Sequence, residues 1–294
     1  MRKALVWLFI LGVTGSTRFA IAACTPTPGT AELWSKPALT WVWVGETHGS
    51  NEAPAAFGNL VCNALESGRR VAVALERPST EQPALQAILT SAKLPDAEKA
   101  LLEQPGWQNA PDGRSSNAML QLMLSLREFR KRYPTLQVYA VDGPSYTAAL
   151  GSRDEAIGNS VLALKKEAPG ALVLVLTGNV HAMRAPLFGF PTSAMVLPEG
   201  EFLSLEMTNV RGGRAWNSTS AGCGPQTVGV ADKDQTRPYG VHLDPNLAPV
   251  GKVDGVFALG TPLTASPPGV GEILPLPECR KTFLASHPIQ PTNP

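Results

Sequence analysis

The sequence predicts an α/β protein with a mostly parallel central sheet, helices on both faces of that sheet, and a loop-rich C-terminal part. Between residues 39 and 178, short apolar runs alternate with amphipathic stretches, and regular strand–helix alternation is typical of a parallel sheet. The apolar runs are continuous rather than alternating with polar residues, which indicates strands that are buried on both faces.

The individual elements follow from the length and composition of each run. Runs that are rich in Val and Leu and bounded by Gly or Pro predict buried strands, and they occupy residues 39–44, 71–75, 136–141 and 172–176. The intervening stretches have helical periodicity, and they predict helices at about 52–66, 81–92, 116–132 and 153–166.

The character of the chain changes beyond residue 190, where prolines and glycines become dense. We expect two further strands in this part, at 201–207 and 255–259. The range 211–250 has little periodicity and predicts a loop-rich excursion from the sheet. The last residues, 286–294, have the composition of a disordered tail.

The first 23 residues have the layout of a secretory signal peptide, which leaves a single α/β domain over residues 24–285. Arg2 and Lys3 precede a short apolar stretch, and residues 20–22 offer a cleavage site of the A-x-A type. The apolar stretch is too short for a permanent membrane span, which needs about 20 residues. We therefore expect an exported protein, periplasmic or secreted. The alternative is a lipoprotein anchored through Cys24, because residues 21–24 fit a lipoprotein cleavage box loosely.

Charge and cysteine content limit the possible partners. The formal net charge is +1, which gives no electrostatic reason to expect nucleic acid as a partner. The sequence contains no G-x-S-x-G elbow, no G-x-G-x-x-G after a strand and no Walker motif. Four cysteines in an exported chain suggest two disulfides. A bridge between Cys223 and Cys279 would staple the Gly- and Pro-rich C-terminal part, although sequence alone does not fix the pairing.

Acidic residues and histidines follow the carboxyl ends of the four predicted strands. In an open parallel sheet these ends lie along one edge, where ligands of such folds bind. A single residue of this kind is ordinarily a helix N-cap or a loop residue. Four such strand ends at one edge instead predict a functional site, formed by Glu46, His48, Glu76, Asp142 and His181.

The two histidines of this set occupy equivalent positions. The segments GETH (45–48) and GNVH (178–181) both read G-x-x-H directly after an apolar run. Glycine lets the backbone turn sharply, so that the histidine three residues later can point back over the sheet edge. The remaining histidines, His242 and His287, lie in Pro-rich irregular regions and are expected at the surface.

Two chemistries suit this cluster, and both lead to a hydrolase. In the first, His48, His181 and Glu46 ligate a divalent ion such as Mn, Co or Zn, which lowers the pKa of a bound water from ~15.7 towards ~7. In the second, His48 is a general base that acts on water, while Glu46 or Glu76 orients its ring and stabilises the imidazolium. Neither chemistry needs a serine nucleophile.

The motifs resemble those of the superfamily that joins the erythromycin esterases, the ChaN-type haem-binding proteins and the Tiki/TraB metalloproteases. GETHG with the following Glu52 is similar to the first G-E-x-H element of that superfamily, and GNVH is similar to its second G-x-x-H element. VAVALERP with Glu76 resembles the second strand, and SRDEAIGN with Arg153 resembles a helix start of the esterases. The spacing in GETH is closer to the ChaN and Tiki form, because the esterases typically carry one more residue between Glu and His.

The resemblance implies an exported hydrolase that cleaves an ester or amide bond of a small molecule or peptide. Arg153 would stabilise developing negative charge, the alternative being a surface ion pair with its neighbours Asp154 or Glu155. The expected catalytic residues are His48, Glu46, Glu76, His181 and Arg153. The expected substrate contacts are Asp142, Trp107, Arg114 and Glu52, of which Trp107 and Arg114 lie in a loop-like stretch that suits a lid.

A second function remains open under the same resemblance. A ChaN-like protein would hold haem or another iron ligand in the periplasm without catalysis. Macrolide hydrolysis in particular is not implied, because residues 211–250 have no counterpart in the esterases and pocket walls set the choice of substrate.

Overall fold

A computed structural model describes residues 24–108, 112–143, 152–210, 213–219, 222–228, 237–244 and 252–270. The predicted signal peptide, the predicted tail and Cys279 lie outside these ranges, so the expectations that concern them stay predictions. Within the described ranges, no helix combines the length and the apolar character that a membrane span requires.

Nine strands are described, and seven of them form one sheet. The strands are β1 (Trp41–Glu46), β2 (Val71–Pro78), β3 (Gln137–Asp142), β4 (Leu172–Gly178), β5 (Phe202–Val210), β6 (Arg214–Thr219), β7 (Gly222–Thr227), β8 (Gly240–Leu243) and β9 (Gly255–Pro262). The order in the sheet is β3-β2-β4-β1-β5-β9-β8. All pairs are parallel except β8 with β9. The predicted fold class is therefore confirmed.

The helices predicted from hydrophobic periodicity are present in the structure. They are α1 (Thr30–Trp34), α2 (Glu52–Glu66), α3 (Gln82–Thr90), α4 (Leu94–Leu102), α5 (Pro105–Gln108), α6 (Asn117–Arg132), α7 (Ser152–Glu167) and α8 (Asn179–Ala182). The four predicted helices correspond to α2, α3, α6 and α7, with ends that differ by two residues at most. The start of α6 is capped by Ser116, whose hydroxyl accepts a hydrogen bond from the Met119 amide. The helices α1, α4, α5 and α8 were not predicted.

The core lies on both faces of the sheet, as the continuous apolar runs predict. Val42 and Val44 of β1 belong to one apolar cluster, together with residues of α2, α3 and α6. Trp41 and Trp43 point the other way and belong to a second cluster with α7. Successive strand residues face opposite sides, so β1 supplies both halves of the core.

The winding of the chain creates a crevice at the carboxyl edge. The chain passes from β1 through α2 to β2, and it later returns from β3 through α7 to β4, which lies between β2 and β1. Such reversals of strand order are where open α/β sheets bind ligands. At this point Glu46 at the end of β1 pairs in register with Gly178 at the end of β4.

The excursion predicted for residues 211–250 contains more structure than its sequence indicates. The strands β6 and β7 form an antiparallel hairpin, and β8 adds an edge strand to the sheet. The hairpin is attached to the GETH loop by a 2.8 Å hydrogen bond from the Trp216 amide to the Gly49 carbonyl. These strands lack apolar alternation because backbone pairing, rather than burial of one face, holds them together. The expectation of a loop-rich C-terminal part is confirmed, and these three short strands within it were not predicted.

The described part of the chain contains one complete disulfide, between Cys24 and Cys62, with the Cα atoms 5.7 Å apart. It joins the N-terminal segment to α2. A sulfur in a disulfide cannot also form a lipid thioether, so the lipid-anchor alternative at Cys24 is not compatible with this bond. Cys223 is also disulfide-bonded, but its expected partner Cys279 lies outside the described residues and that pairing stays a prediction.

Candidate active site

A cavity of about 290 Å³ opens at the carboxyl ends of β1, β2 and β4. Its walls contain the five residues that were expected to be catalytic: Glu46, His48, Glu76, Arg153 and His181. A larger cavity of about 630 Å³ runs along β3, but it contains none of them. The chemistry of the side chains, rather than the size of the cavity, therefore identifies the candidate site.

His48 lies between two buried carboxylates. Its Nδ1 is 3.0 Å from Glu46 Oε1 and its Nε2 is 3.4 Å from Glu76 Oε2. Burial lowers the pKa of His48, but the charges and hydrogen bonds of Glu76 and Glu46 have the larger effect and raise the pKa to about 10. An ionised carboxylate only accepts hydrogen bonds, so this geometry also favours a ring with both nitrogens protonated. His48 is therefore an imidazolium at neutral pH.

Glu46 holds a proton more strongly than an ordinary surface glutamate does. Burial raises the pKa of its carboxyl group, and the hydrogen bond and charge of His48 only partly oppose this effect. Among the described residues, its second oxygen, Oε2, is buried and has no hydrogen-bond partner. Glu46 therefore combines a raised proton affinity with an unused acceptor atom.

Glu76 connects the two G-x-x-H motifs. Its Oε2 accepts a 2.7 Å hydrogen bond from the Gly178 amide, and its Oε1 accepts hydrogen bonds from Arg153 Nη2 at 2.5 Å and Arg114 Nη1 at 3.1 Å. Burial raises the pKa of Glu76, but the charges of His48 and Arg153 lower it to well below its ordinary value. Glu76 is therefore a permanent anion that organises the cations around it.

A local irregularity of β2 gives Glu76 this position. The register between β2 and β3 shifts between Leu75 and Pro78, with one more residue on β2 than on β3. Such a bulge re-aims side chains at the end of a strand. Glu76 consequently contacts the cavity cations, while Arg77 binds Glu81 through two hydrogen bonds of 2.9 Å.

The hydrogen bonds of His181 fix its tautomer. Arg153 Nη1 lies 2.9 Å from Nε2, and a guanidinium can only donate, so Nε2 carries no proton. The other nitrogen, Nδ1, then donates its proton to Asp154 Oδ1 at 2.7 Å. Ser193 holds the same Asp154 oxygen through its amide at 3.0 Å and its hydroxyl at 2.8 Å. His181 is therefore a neutral acceptor that positions Arg153.

Arg153 takes the cleft position rather than that of a surface ion pair. Its Nε lies 3.1 Å from Asp142 Oδ1, and its Nη2 lies 2.6 Å from Asp142 Oδ2. The same Nη2 also donates to Glu76 Oε1. Burial lowers the pKa of Arg153, but Glu76 and Asp142 raise it overall. Asp142 itself is buried behind this guanidinium and is not part of the cavity wall. Its geometry therefore supports a role in positioning Arg153 rather than the predicted contact with substrate.

Arg114 is the second guanidinium at the cavity, and the sequence analysis did not identify its partner Asp112. Arg114 Nε lies 2.7 Å from Asp112 Oδ2. Burial raises the pKa of Asp112, but the Arg114 guanidinium lowers it to about 2. The only sequence signal is an acid two residues before the arginine in a Gly-containing loop, which is common on protein surfaces.

Two of the expected substrate contacts lie away from the cavity. Trp107 is only 1% exposed, and the Cζ atom of Arg77 lies over its indole ring, 4.7 Å from the ring centre. Glu52, at the start of α2, accepts hydrogen bonds from the amide and the hydroxyl of Thr264, at 2.8 Å and 2.5 Å. The geometry therefore supports structural roles for both, and a lid that includes Trp107 is not supported.

Asp154, Ser193 and Asn217 complete the site and were not among its predicted residues. Asp154 had been considered only as a surface partner of Arg153, and nothing marks Ser193 in the sequence. Asn217 reaches the cavity wall from the β6–β7 hairpin, which lies in the range that was expected to be a loop-rich excursion. Contacts of this kind depend on the path of the connections, which hydrophobic periodicity does not encode.

The side chains do not form the expected metal site. Among the described residues, the only three His, Cys, Asp or Glu residues with ligand atoms all within 4.8 Å of one another are Cys24, Cys62 and Glu66. Two of those three atoms are the sulfurs of the disulfide. At the cavity, Nε2 of His181 faces Arg153, whose positive charge opposes a cation there. The predicted set of His48, His181 and Glu46 is therefore not assembled as a ligand sphere.

The cavity also does not fit haem. Cofactor sites are typically ~300–1,000 Å³ and mostly apolar, whereas this cavity has about 290 Å³, and among the described residues Val180 is its only large apolar wall residue. The charged groups around it are already paired with one another. The wall instead provides the three carboxylates of Glu46, Glu76 and Asp112, one imidazolium and two guanidiniums.

Known proteins resemble this chain in structure, although sequence comparison finds no relative. No protein-family profile matches the sequence, and no curated protein matches it significantly. A mutant of the erythromycin esterase EreC in its open conformation superposes with a TM-score of 0.61 at 10% identity, over 83% of this chain and 94% of that one. A Bacillus cereus protein superposes with a TM-score of 0.56 at 10% identity, over 79% and 90%. The chain therefore has the fold of the erythromycin esterase, as the motif resemblance implied.

Proposed function

We propose that this protein is an exported hydrolase that cleaves an ester or amide bond through attack by water at the carboxyl edge of the sheet. The observation that carries the proposal is the position of His48, between the buried carboxylates of Glu46 and Glu76 and at the wall of a cavity. Groups with strongly perturbed proton affinities in a cleft are typical of catalytic sites. The fold shared with an erythromycin esterase supports the same class of reaction.

Within this proposal, His48 is the general acid and Glu46 is the general base. A general base must be unprotonated, whereas the pKa of His48 is about 10, so the ring starts the reaction with a proton to give. Glu46 has a raised pKa and lies in the cavity wall, which suits it to accept a proton from water. This assignment reverses the role that the motif alone suggested for His48.

The proton changes balance over one turnover. Water attacks the carbonyl carbon and loses a proton to Glu46, and the leaving alkoxide or amine takes the Nε2 proton of His48. Negative charge on the carbonyl oxygen is stabilised by Arg153 and Arg114, which are held in place before the substrate arrives. The resting state returns when Glu46 releases its proton to solvent and Nε2 of His48 takes up a proton from solvent, while Nδ1 keeps its proton and its 3.0 Å contact with Glu46 Oε1.

Export rests on two independent features of the chain. The predicted signal peptide ends just before Cys24, and Cys24 forms a disulfide with Cys62. Disulfides persist mainly in oxidising compartments such as the periplasm and the cell exterior. The substrate is therefore expected to be met outside the cytoplasm.

A hydrolysis panel tests the proposal. The purified mature protein is incubated with p-nitrophenyl esters, lactones, p-nitroanilides and short peptides, with and without EDTA. We expect hydrolysis of at least one class, with or without EDTA, and at least about a 100-fold loss in His48→Ala. The matched control is His242→Ala, because His242 lies in β8 and donates to only the Pro238 carbonyl among the described residues. Equal rates for wild type and His48→Ala across the whole panel would contradict the proposal.

A further inference from the structure

Asn217 enters the catalytic cavity from a part of the chain that contributes nothing to the main sheet. It lies in β6 of the two-stranded hairpin and forms part of the cavity wall together with His48 and Arg114. Among the described residues, it is the only wall residue that comes from beyond residue 200.

Backbone contacts fix the hairpin against the two loops that carry catalytic side chains. The Trp216 amide donates a 2.8 Å hydrogen bond to the Gly49 carbonyl. Gly49 and Gly113 have φ of 80° and 86°. A Cβ atom would lie 1.9 Å from the Trp216 carbonyl oxygen if it were added to Gly49, and 2.6 Å from that oxygen if it were added to Gly113. Glycine is required for such a conformation and such an approach. Each of these three residues is adjacent in sequence to a wall residue, so the position of Asn217 relative to the catalytic groups is set by the main chain.

The amide of Asn217 has a defined orientation. Its Oδ1 accepts a 2.7 Å hydrogen bond from the Ser218 amide. The reversed orientation would place two donors against each other, so the backbone assigns the oxygen to this contact. Among the described residues, the Nδ2 group of Asn217 has no hydrogen-bond partner. A neutral donor is therefore available at the cavity wall.

The two guanidiniums of the cavity are engaged by carboxylates. Arg114 binds Asp112 and Glu76, and Arg153 binds Glu76 and Asp142. A ligand that carries a formal negative charge would therefore compete with these carboxylates for the guanidiniums when it binds, whereas charge on a reacting carbonyl oxygen develops only during the reaction. A neutral acceptor oxygen, such as a carbonyl, ether or hydroxyl oxygen, is the complementary partner for the Nδ2 group.

We propose that Asn217 is a substrate-binding residue that donates a hydrogen bond from Nδ2 to a neutral oxygen of the substrate. The β6–β7 hairpin is then the element that selects substrates, and it favours neutral, oxygen-bearing esters or amides over anionic ones. This inference deepens the proposed function and rests on it for the identity of the reaction.

The test compares Asn217→Asp and Asn217→Ala with wild type. Aspartate keeps the shape and the oxygen that holds the Ser218 amide, but it has no donor, so the hairpin is retained. The probe is the neutral p-nitrophenyl ester or lactone that wild type hydrolyses fastest. We expect KM to rise about 5- to 10-fold in both variants, the loss of one hydrogen bond, with kcat changed less than about 3-fold. Gln226→Ala, on the paired strand of the same hairpin and outside the cavity wall, is the matched control and keeps the wild-type KM.

Direct binding separates this inference from the proposed function. The same neutral compound is titrated calorimetrically into the His48→Ala variant and into the double variant His48→Ala/Asn217→Asp. If wild type hydrolyses nothing, the neutral esters and lactones of the panel are titrated instead into wild type and Asn217→Asp. Weaker binding by the protein that carries Asn217→Asp supports the role of Asn217 even where hydrolysis is absent. Unchanged KM and unchanged affinity in Asn217→Asp would overturn it, whatever the fate of the hydrolase proposal.

Discussion

At the scale of single residues, the site works through differences in proton affinity between neighbouring side chains. Glu46 and Glu76 are both buried glutamates, yet the pKa of Glu46 is raised and that of Glu76 is lowered. The difference arises because Glu76 is surrounded by cations, whereas His48 is the cation that opposes the effect of burial on Glu46. Two carboxylates with divergent pKa values can divide the roles of base and permanent anion.

The first prediction is a bell-shaped pH dependence of kcat/KM. The rate should fall as pH rises through about 10, because His48 then loses the proton that it gives to the leaving group. It should also fall on the acidic side, at a pH above the ordinary carboxyl range, because the pKa of Glu46 is raised. A pH series on wild type and Glu46→Gln measures both limbs. A rate that instead increases through about pH 10 would assign the base role to His48.

The second prediction concerns Asp112 and stability. The pKa of Asp112 is about 2 in the folded protein, below its unfolded value of about 3.8. A depressed carboxyl pKa contributes stability above the unfolded pKa, and this contribution is lost as pH falls through the folded pKa. Asp112→Asn should therefore lower the free energy of unfolding by about 2 kcal/mol at about pH 7.

Urea denaturation at about pH 7 and about pH 2 measures this effect, with the exposed Asp96→Asn as the control. The difference between wild type and Asp112→Asn should become much smaller as pH falls to the folded pKa of about 2. A destabilisation of the same size at both pH values would mean that the lost contact is not the charge of Asp112.

At the scale of elements, a buried pair behind the cavity holds the loop that carries Arg114. Arg77 binds Glu81, and its Nη1 also donates to the Arg114 carbonyl at 2.7 Å and to the Ser115 hydroxyl at 2.9 Å. The side chain of Arg114 in turn donates to Glu76. Neighbouring residues of β2 thus hold both ends of Arg114, and Trp107 packs under Arg77 as part of the same support.

The third prediction separates stability from positioning at this pair. Arg77→Met alone should lower the free energy of unfolding by ~3–5 kcal/mol, because Glu81 is left as a buried unpaired charge. The double variant Arg77→Met/Glu81→Met should recover most of that stability, since well-packed apolar replacements of buried ion pairs are often neutral. We expect kcat to remain reduced in the double variant, because the Arg114 carbonyl has lost its donor. Full recovery of kcat together with stability would show that the pair is only structural.

At the scale of the whole molecule, periodicity and strand ends predicted much of the fold and the centre of the site. Apolar runs define parallel strands, and parallel strands bring their carboxyl ends together, so Glu46, His48, Glu76 and His181 meet although they are far apart in sequence. The pairs that tune them were not predictable in the same way. Asp112 and Asn217 come from loops or a polar hairpin, whose paths depend on backbone hydrogen bonds rather than on burial of an apolar face.

The disulfide framework was only partly accessible to sequence reasoning. Two bridges were expected from four cysteines, but Cys24 was weighed as a lipid attachment site and its bond to Cys62 was not anticipated. The distance of 38 residues between them carries no signal for pairing. Only the fold, which lays the N-terminal segment on α2, brings the two sulfurs together.

The fourth prediction follows from this bridge. A disulfide that closes a long loop typically contributes ~2–4 kcal/mol to stability, so the free energy of unfolding of Cys24→Ser/Cys62→Ser, measured by urea denaturation, should be lower by that amount. Because neither cysteine lies in the cavity wall, kcat should stay at the wild-type value at room temperature. Loss of kcat in a folded double variant would contradict this separation of stability from chemistry.

The most direct test of the central claim is the ratio of kcat/KM between wild type and His48→Ala on the neutral ester that wild type hydrolyses fastest, measured at neutral pH beside His242→Ala. The account predicts a loss of about 10²–10⁴ in His48→Ala, the typical contribution of a positioned general acid or base, and no loss in His242→Ala. A His48→Ala protein that is folded and as active as wild type would contradict the assignment of the carboxyl edge of the sheet as the active site.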